Sequence, residues 1–315
     1  MNTQIVQKNV VWVVPGQTCE SVEMFKPWKN VIQTDLFTPF FDVEQILCHI
    51  GKNNNTFVSQ LSILIYVTTA MNYIRDRLGF SPFHISAGLS VGEWLALMLI
   101  GKISVKNAIH TVTQRASCMH EYSVSSQGGM YALLGLDSVS LLRYIRQSGI
   151  DHVYLSGCHT NTHVILSGLY KSLDLFITYL RKEKCKFKYV NLNAAGPFHT
   201  PLMIKSADMF NSLQVKMNIE ENERLFIDGR NGDSTKRVSD IVNYMKHQIV
   251  NPNSWRNVVN NYQSLGITHQ IEISPKPVLT KLTKRISPSM NCYCIQSPEC
   301  VKKIIKLTQG KCRVF

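Results

Sequence analysis

Acidic residues are scarce in this chain. Only 21 Asp and Glu stand against 34 Lys and Arg among 315 residues, a formal net charge of +13. All charged residues together make up 17% of the sequence, below the ~25% of ordinary globular chains, while 44% is hydrophobic, which excludes a disordered polyelectrolyte. Long apolar runs are also missing. The longest, Leu61 to Val67 and Leu95 to Ile100, fall short of the ~18–20 residues that span a bilayer, so no membrane-crossing segment is expected. The positive charge raises nucleic acid, anionic lipid or an acidic protein as partners. The densest basic cluster, Arg181, Lys182, Lys184, Lys186 and Lys188, comes with no zinc-finger spacing and no aromatic RNA-binding signature, and nucleic acid is therefore not expected.

Cysteines are present but lack a framework. Nine of them, an odd number, run from Cys19 to Cys312, and no charged-then-apolar secretory leader precedes them. Reduced thiols follow. Cys292, Cys294 and Cys300 form a C-x-C-x5-C run with no nearby His, so no metal is expected. The first recognisable segment begins by Asn9, which leaves no room for a transit peptide, and the expected location is cytoplasmic.

At this length the chain exceeds one average domain of ~100–200 residues, and one large domain with a smaller insertion is expected. The β-branched run Asn9 to Val14 ending at Pro15-Gly16 predicts a buried first strand and a tight turn. Helical spacing covers Phe57 to Leu78, and a strand Phe83 to Ala87 leads through a sharp turn into a helix Val91 to Ile100. A further helix, Val105 to Tyr122, ends in a connector, Ser123 to Gly129. From Met130 to Leu192 the pattern is β-α-β-β-α-β, the order of a ferredoxin-like unit. Helices at Pro201 to Leu213 and Val238 to Ile249, a strand at Leu225 to Asp228 and a last strand at Gln270 to Ile273 complete the reading. The expected fold is α/β: a large, discontinuous α/β-hydrolase-like domain with a parallel sheet (1–127 and 193–315) and an inserted ferredoxin-like small subdomain (128–192).

The segment Gly88-Leu89-Ser90-Val91-Gly92 is a G-x-S-x-G. Between strand and helix, this pattern puts a serine on a strained turn, and two glycines relieve the crowding on either side. The helix that starts at Val91 aims its free N–H groups at the oxyanion that would form when Ser90 attacks a carbonyl. A serine nucleophile needs a base, and His199, after a small-residue loop and before a proline-started helix, can supply it. Taken singly, Ser90 is also compatible with a structural turn, His199 with a surface histidine and Arg115 with a helix-surface arginine.

Seven segments together resemble the malonyl-CoA:acyl carrier protein transacylases and the related acyltransferase domains of fatty acid and polyketide synthases. VVPGQ at Val13 to Gln17 resembles the family's F-P-G-Q-G-S-Q, and Gln60 lies in a helix similar to its T-Q-P-A segment. GLSVGEW is similar to G-H-S-x-G-E, QRASCM around Arg115 to R-x-x-x-M, and GPFHTPLM to G-A-F-H-S/T-x-x-M. HQIVNPNSW around Gln248 resembles Q-L-x-x-P-V-x-W, and EISPKPVLTKLTKR resembles E-x-G-P-G-x-x-L. The order is the family's, and almost the whole chain is covered.

The resemblance implies a ping-pong reaction in which Ser90, deprotonated by His199, takes malonyl from malonyl-CoA and passes it to the phosphopantetheine thiol of an acidic holo acyl carrier protein. It implies no bound cofactor and a monomer. It assigns the oxyanion hole to the backbone N–H groups of Gln17 and Val91, the orientation of His199 to the carbonyl of Gln248, and the substrate carboxylate to Arg115. Phe198 resembles the aromatic that restricts the acyl group to malonyl. Leu89, Gln60 and His159 are candidate pocket residues. Departures from the pattern are Thr18 in place of a glycine beside the oxyanion donor, Leu89 in place of His, His159 in place of Asn, and the turn Ser274-Pro275-Lys276-Pro277. A second reading is an acyl hydrolase of the same fold that releases acyl groups from carrier proteins, and a third is a non-catalytic module that binds carrier proteins.

Overall fold

The computed structural model describes residues 9–17, 20–52, 55–213 and 219–311. The chain opens with β1 (Val10–Val14), passes α1 (Val43–His49) and α2 (Thr56–Leu78), and reaches β2 (Ile85–Gly88), α3 (Val91–Leu99) and α4 (Val105–Ser125). Then follow β3 (Gly128–Leu134), α5 (Ser138–Ser148), β4 (Val153–Thr160), β5 (His163–Leu169), α6 (Tyr170–Lys182) and β6 (Lys188–Asn191). The last part holds α7 (Ile204–Ser212), β7 (Leu225–Ile227), β8 (Ser234–Thr235), α8 (Val238–Lys246), α9 (Trp255–Ser264), β9 (His269–Ile273), α10 (Val278–Ile286), β10 (Asn291–Ile295) and α11 (Pro298–Lys311).

Two sheets form. The first has strand order β10-β9-β1-β2-β7-β8 and is parallel except for the short β7–β8 pair. Helices cover both faces, so Val11 to Val14 of β1 are all buried and the strand is a continuous apolar run instead of an alternating one. In the β1–β2 register Val14 lies opposite Gly88, which brings the loops leaving both strands together at the carboxyl edge of the sheet. Open parallel sheets place their sites at this edge.

The second sheet, β4-β5-β3-β6, is antiparallel throughout. Its side chains alternate with period two. Tyr131, Leu133, Val164 and Leu166 pack under α5 and α6 with Leu173 and Phe176, while Met130, Ile165 and Ser156 face a cleft shared with the first sheet. The sheets are stitched where Asn253 meets β4: Cys158 N donates to Asn253 O at 2.9 Å and Asn253 N to Ser156 O at 3.0 Å.

Several expectations are corrected. The connector expected at Ser123 to Gly129 is mostly regular structure, since α4 continues to Ser125 and β3 begins at Gly128. The helix expected to reach Ile249 stops at Lys246, which frees Gln248 and Ile249 for loop contacts. The strand at 269–273 is not the last: β10 pairs with it in parallel. Asn291-Cys292-Tyr293-Cys294-Ile295 is a half-buried edge strand, and its apolar signal is diluted accordingly. Helix α2 is long and apolar enough by length and composition to cross a bilayer, because Ser, Thr and Gln break up its apolar runs while its mean hydropathy still reaches 1.3. It is a core helix, with 83% of its most apolar stretch buried inside the fold.

Candidate active site

Ser90 stands between β2 and α3 with φ 56° and ψ −120°, a conformation L-residues rarely adopt. The flanking glycines are sterically required. A Cβ on Gly88 would lie 2.2 Å from the Gly92 carbonyl carbon, and one on Gly92 would lie 2.2 Å from the Val14 carbonyl oxygen. The turn is fixed to β1 by Leu89 N, which donates to Val14 O at 3.1 Å. Ser90 is thereby the residue that projects, and Val91 opens α3 with the N–H groups that a helix leaves unsatisfied at its start.

His199 also has positive φ, 61°. Its backbone N–H donates to Ile249 O at 3.1 Å, and its Nδ1 lies 3.1 Å from both Gln248 O and Asn251 O. Two carbonyls at Nδ1 require the proton there, so Nε2 is the acceptor and faces Ser90 Oγ at 3.0 Å. Burial, and then the Arg115 cation, hold the imidazole pKa down at about 4. His199 is neutral at pH 7 and able to accept the Ser90 proton.

Arg115, on α4, is completely buried. Its Nη2 donates to Ser90 Oγ at 3.1 Å and to Gln248 Oε1 at 2.9 Å, its Nε to Gln248 Oε1 at 3.2 Å, and its Nη1 to Gln60 Oε1. All of these acceptors are neutral, and no ion pair among the described residues involves Arg115. Burial lowers its pKa to about 10, which leaves it charged. Gln248 Nε2 in turn donates to Ser90 O and to Glu93 Oε2, and Glu93 Oε1 accepts from Tyr244 Oη at 2.6 Å and Gly229 N at 2.7 Å. On the other side, Gln60 Nε2 donates to Thr56 Oγ1 at 3.2 Å, and Thr56 donates to Gln17 Oε1 at 2.8 Å.

A cleft of about 300 Å³ lies over this assembly, lined among others by Gln17, Leu89, Ser90, His159, Phe198 and His199. Arg115, Gln248 and Val91 lie beneath Ser90 and not on the cleft surface. Gln60, expected as a pocket residue, is instead one layer behind, where it bonds Arg115. His159 packs edge-on against His163 with ring centroids 5.0 Å apart, and burial together with His163 and His199 pushes its pKa down to about 3. Thr18 lies outside the described residues. The Ser274-Pro275-Lys276-Pro277 turn carries α10, whose first amides at Val278, Leu279 and Thr280 donate to the Glu272 carboxylate at 2.7–3.0 Å. Val278, Leu279 and Leu282 then form one wall of the cleft. No group of His, Cys, Asp and Glu able to hold a metal occurs among the described residues.

Thr56, Glu93, Tyr244 and the Asn251 carbonyl were not singled out from the sequence. Only Glu93 carried a local signal there, as the residue after the G-x-S-x-G.

A serine at a strained turn, a neutral histidine aligned with it and a buried arginine on the same oxygen can form a covalent acyl intermediate. The model of the acyl transferase domain family matches residues 37–300. The chain belongs to that family. Among its acyltransferase relatives, the malonyl CoA-acyl carrier protein transacylase of Bacillus subtilis is 28% identical over 254 residues, covering 80% of this chain and 79% of that one. The Escherichia coli K12 protein of the same name is 24% identical over 256 residues, 81% and 82% of the two chains. The fold matches the acyl-carrier-protein S-malonyltransferase of Burkholderia pseudomallei with a TM-score of 0.85 at 23% identity, covering 95% of this chain and 99% of the other. It also matches a malonyl-transacylase solved with its type II polyketide synthase acyl-carrier protein, at a TM-score of 0.83 and 22% identity over 93% and 97%.

Proposed function

We propose that this acyltransferase moves malonyl from malonyl-CoA to the phosphopantetheine thiol of a holo acyl carrier protein, for fatty acid or polyketide synthesis. One observation carries the reading: the nucleophile Ser90 Oγ lies within hydrogen-bond reach of both the neutral His199 Nε2 and a fully buried Arg115 cation that has no carboxylate partner among the described residues. Arg115 meets the Glu93 carboxylate only through the Gln248 amide, which leaves its buried charge incompletely offset, and a substrate carboxylate is the group that would offset it directly.

In the first half-reaction the Ser90 proton passes to His199 Nε2 as Oγ attacks the thioester carbon. The oxyanion is held by the N–H groups of Val91 and Gln17. The C–S bond breaks, and the CoA sulfur leaves with the proton from His199. In the second half, His199 takes the proton of the carrier thiol, the sulfur attacks the seryl ester, and Oγ departs and regains its proton. The Gln248 carbonyl keeps the histidine oriented throughout. No bound cofactor is required. Phe198, buried beside His199 on the cleft wall, limits the room at the acyl α-carbon.

The β-α-β-β-α-β run and the strand order β4-β5-β3-β6 support a ferredoxin-like subdomain (128–192) inserted in a larger α/β-hydrolase-like domain (1–127 and 193–315). The enzyme is proposed to act as a cytoplasmic monomer on an acidic carrier.

Intact mass after incubation with malonyl-CoA tests the function. The expected adduct is one malonyl group, absent in Ser90→Ala, reduced by ~100-fold or more in Arg115→Ala, and discharged by a holo carrier. Adducts formed equally well from acetyl-CoA and released to water would assign the site to a hydrolase. No adduct from any thioester would leave a binding module.

A further inference from the structure

Glu93 and Tyr244 are buried polar residues that the reaction above does not use, and both connect to it through one side chain, Gln248. The Gln248 amide spends its full hydrogen-bonding capacity. Its two N–H bonds go to the Ser90 carbonyl and Glu93 Oε2, and its oxygen accepts from Nε and Nη2 of Arg115. An amide has two ends of nearly equal size, so shape alone does not choose between this orientation and the reverse. Charge chooses. Reversed, the amide would set its NH2 against the guanidinium and its oxygen against both a carboxylate and a carbonyl. The acceptor-only Glu93 carboxylate makes that orientation unfavourable, and Tyr244 Oη and Gly229 N hold the carboxylate in place. Gly229 is part of the seat, because a Cβ there would lie 2.9 Å from Glu93 Oε1.

We propose that Glu93 and Tyr244 are positioning residues: the ionised Glu93 locks the Gln248 amide with its oxygen on Arg115 and so keeps the guanidinium presented to the carboxylate of the acyl group. The inference deepens the reading of Arg115 given above and rests on it. A consequence is that malonyl uptake and uptake of neutral acyl groups respond differently to the state of Glu93. A neutral acyl group needs Ser90 and His199, whereas malonyl needs Arg115 as well.

The groups facing Glu93 set the pH at which the lock opens. Burial raises its carboxyl pKa to about 7, the hydrogen bonds from Tyr244, Gln248 and Gly229 oppose this, and Asp228 adds to the rise. Arg115, the facing cation on α4, attracts the charged form. Once protonated, Glu93 can donate to a reversed Gln248 oxygen, and the preference weakens to what Arg115 and the Ser90 carbonyl alone supply. Malonyl uptake is therefore expected to fall below a limb near pH 7, while neutral acyl uptake falls only towards the lower range of His199, about 4.

The experiment measures seryl-adduct formation by intact mass, with malonyl-CoA and acetyl-CoA, from pH 5 to 9. It uses the unmodified protein, Glu93→Gln and Tyr244→Phe. In E93Q, which is isosteric but can serve the amide in either orientation, malonyl uptake is expected to drop ~10–100-fold with acetyl uptake little changed. In Y244F, which loses one bond stabilising the carboxylate, the malonyl limb is expected to move alkaline by about half a unit or more, with the plateau above it retained. Malonyl and acetyl uptake falling in parallel at every pH in both variants would reduce the pair to packing and overturn the proposal. Unchanged selectivity and an unchanged limb would overturn it as well. If the unmodified protein took up no malonyl, the function itself would fail, and this inference with it.

Discussion

Ser90 and His199 face each other with φ values of 56° and 61°, in a region where non-glycine residues cost about 1–3 kcal/mol each. Such strain persists only where surrounding bonds over-determine it. Here the bonds come from Val14, Ile249, Gln248 and Asn251, none of them local to the residue they restrain. The same holds for the relay Gln17–Thr56–Gln60–Arg115, which ties the loop carrying one proposed oxyanion donor to the proposed carboxylate clamp. Thr56→Val keeps the shape and removes the hydroxyl that both donates to Gln17 and accepts from Gln60. The expected outcome is a loss of about 1–3 kcal/mol of stability in chemical denaturation and a fall in malonyl adduct formation, read by stopped-time intact mass. Stability lost without any change in acylation would make the relay purely structural. Ser90, His199, Arg115 and Gln248 were legible in the sequence because each sits in a short motif. Thr56 and Tyr244 were not, since their partners lie 39 and 151 residues away and hydrogen bonds leave no periodic trace.

Elements with strong periodicity or sharp punctuation were read closely. β1, α2 and the β2–α3 unit all stand within two residues of expectation, because a β-branched run, helical spacing and paired glycines are each local signals. The misses are α1, β8, α9, α10, β10 and α11, all but the last of ten residues or fewer, whose existence depends on neighbours: β10, for example, is a half-buried edge strand that pairs with β9. At the nucleophile turn the physics is steric, and the test is correspondingly sharp. Gly92→Ala would drive a methyl group to within 2.2 Å of the Val14 carbonyl oxygen in the closely packed β1–α3 junction. The expected cost is about 3 kcal/mol or more, together with loss of acylation. Gly149→Ala, where nothing lies within 4 Å of a Cβ but φ is +60°, carries the strain of positive φ alone and, lying off the cleft lining, should leave the active site intact. Thermal unfolding of the two variants separates a clash from backbone strain.

The whole molecule brings the two sheets together over one cleft, and it carries a net charge of +13. Three ion pairs, all with exposed side chains, occur among the described residues, so most basic side chains are not neutralised by a neighbouring carboxylate. If the acyl acceptor is an acidic carrier protein, this field accelerates its approach without adding a contact, and added salt removes the gain. Exposed charges are screened beyond ~10 Å at 0.1 M ionic strength and ~3 Å at 1 M. The apparent second-order rate of malonyl transfer to a holo carrier should therefore fall by about 10-fold or more between low and high salt. An uncharged small thiol that accepts malonyl from the same acyl-enzyme supplies the control, since its transfer has no long-range attraction to lose. Parallel salt dependence for the two acceptors would place the effect in the chemistry of Ser90 and His199, and remove the charge from any role in choosing the partner.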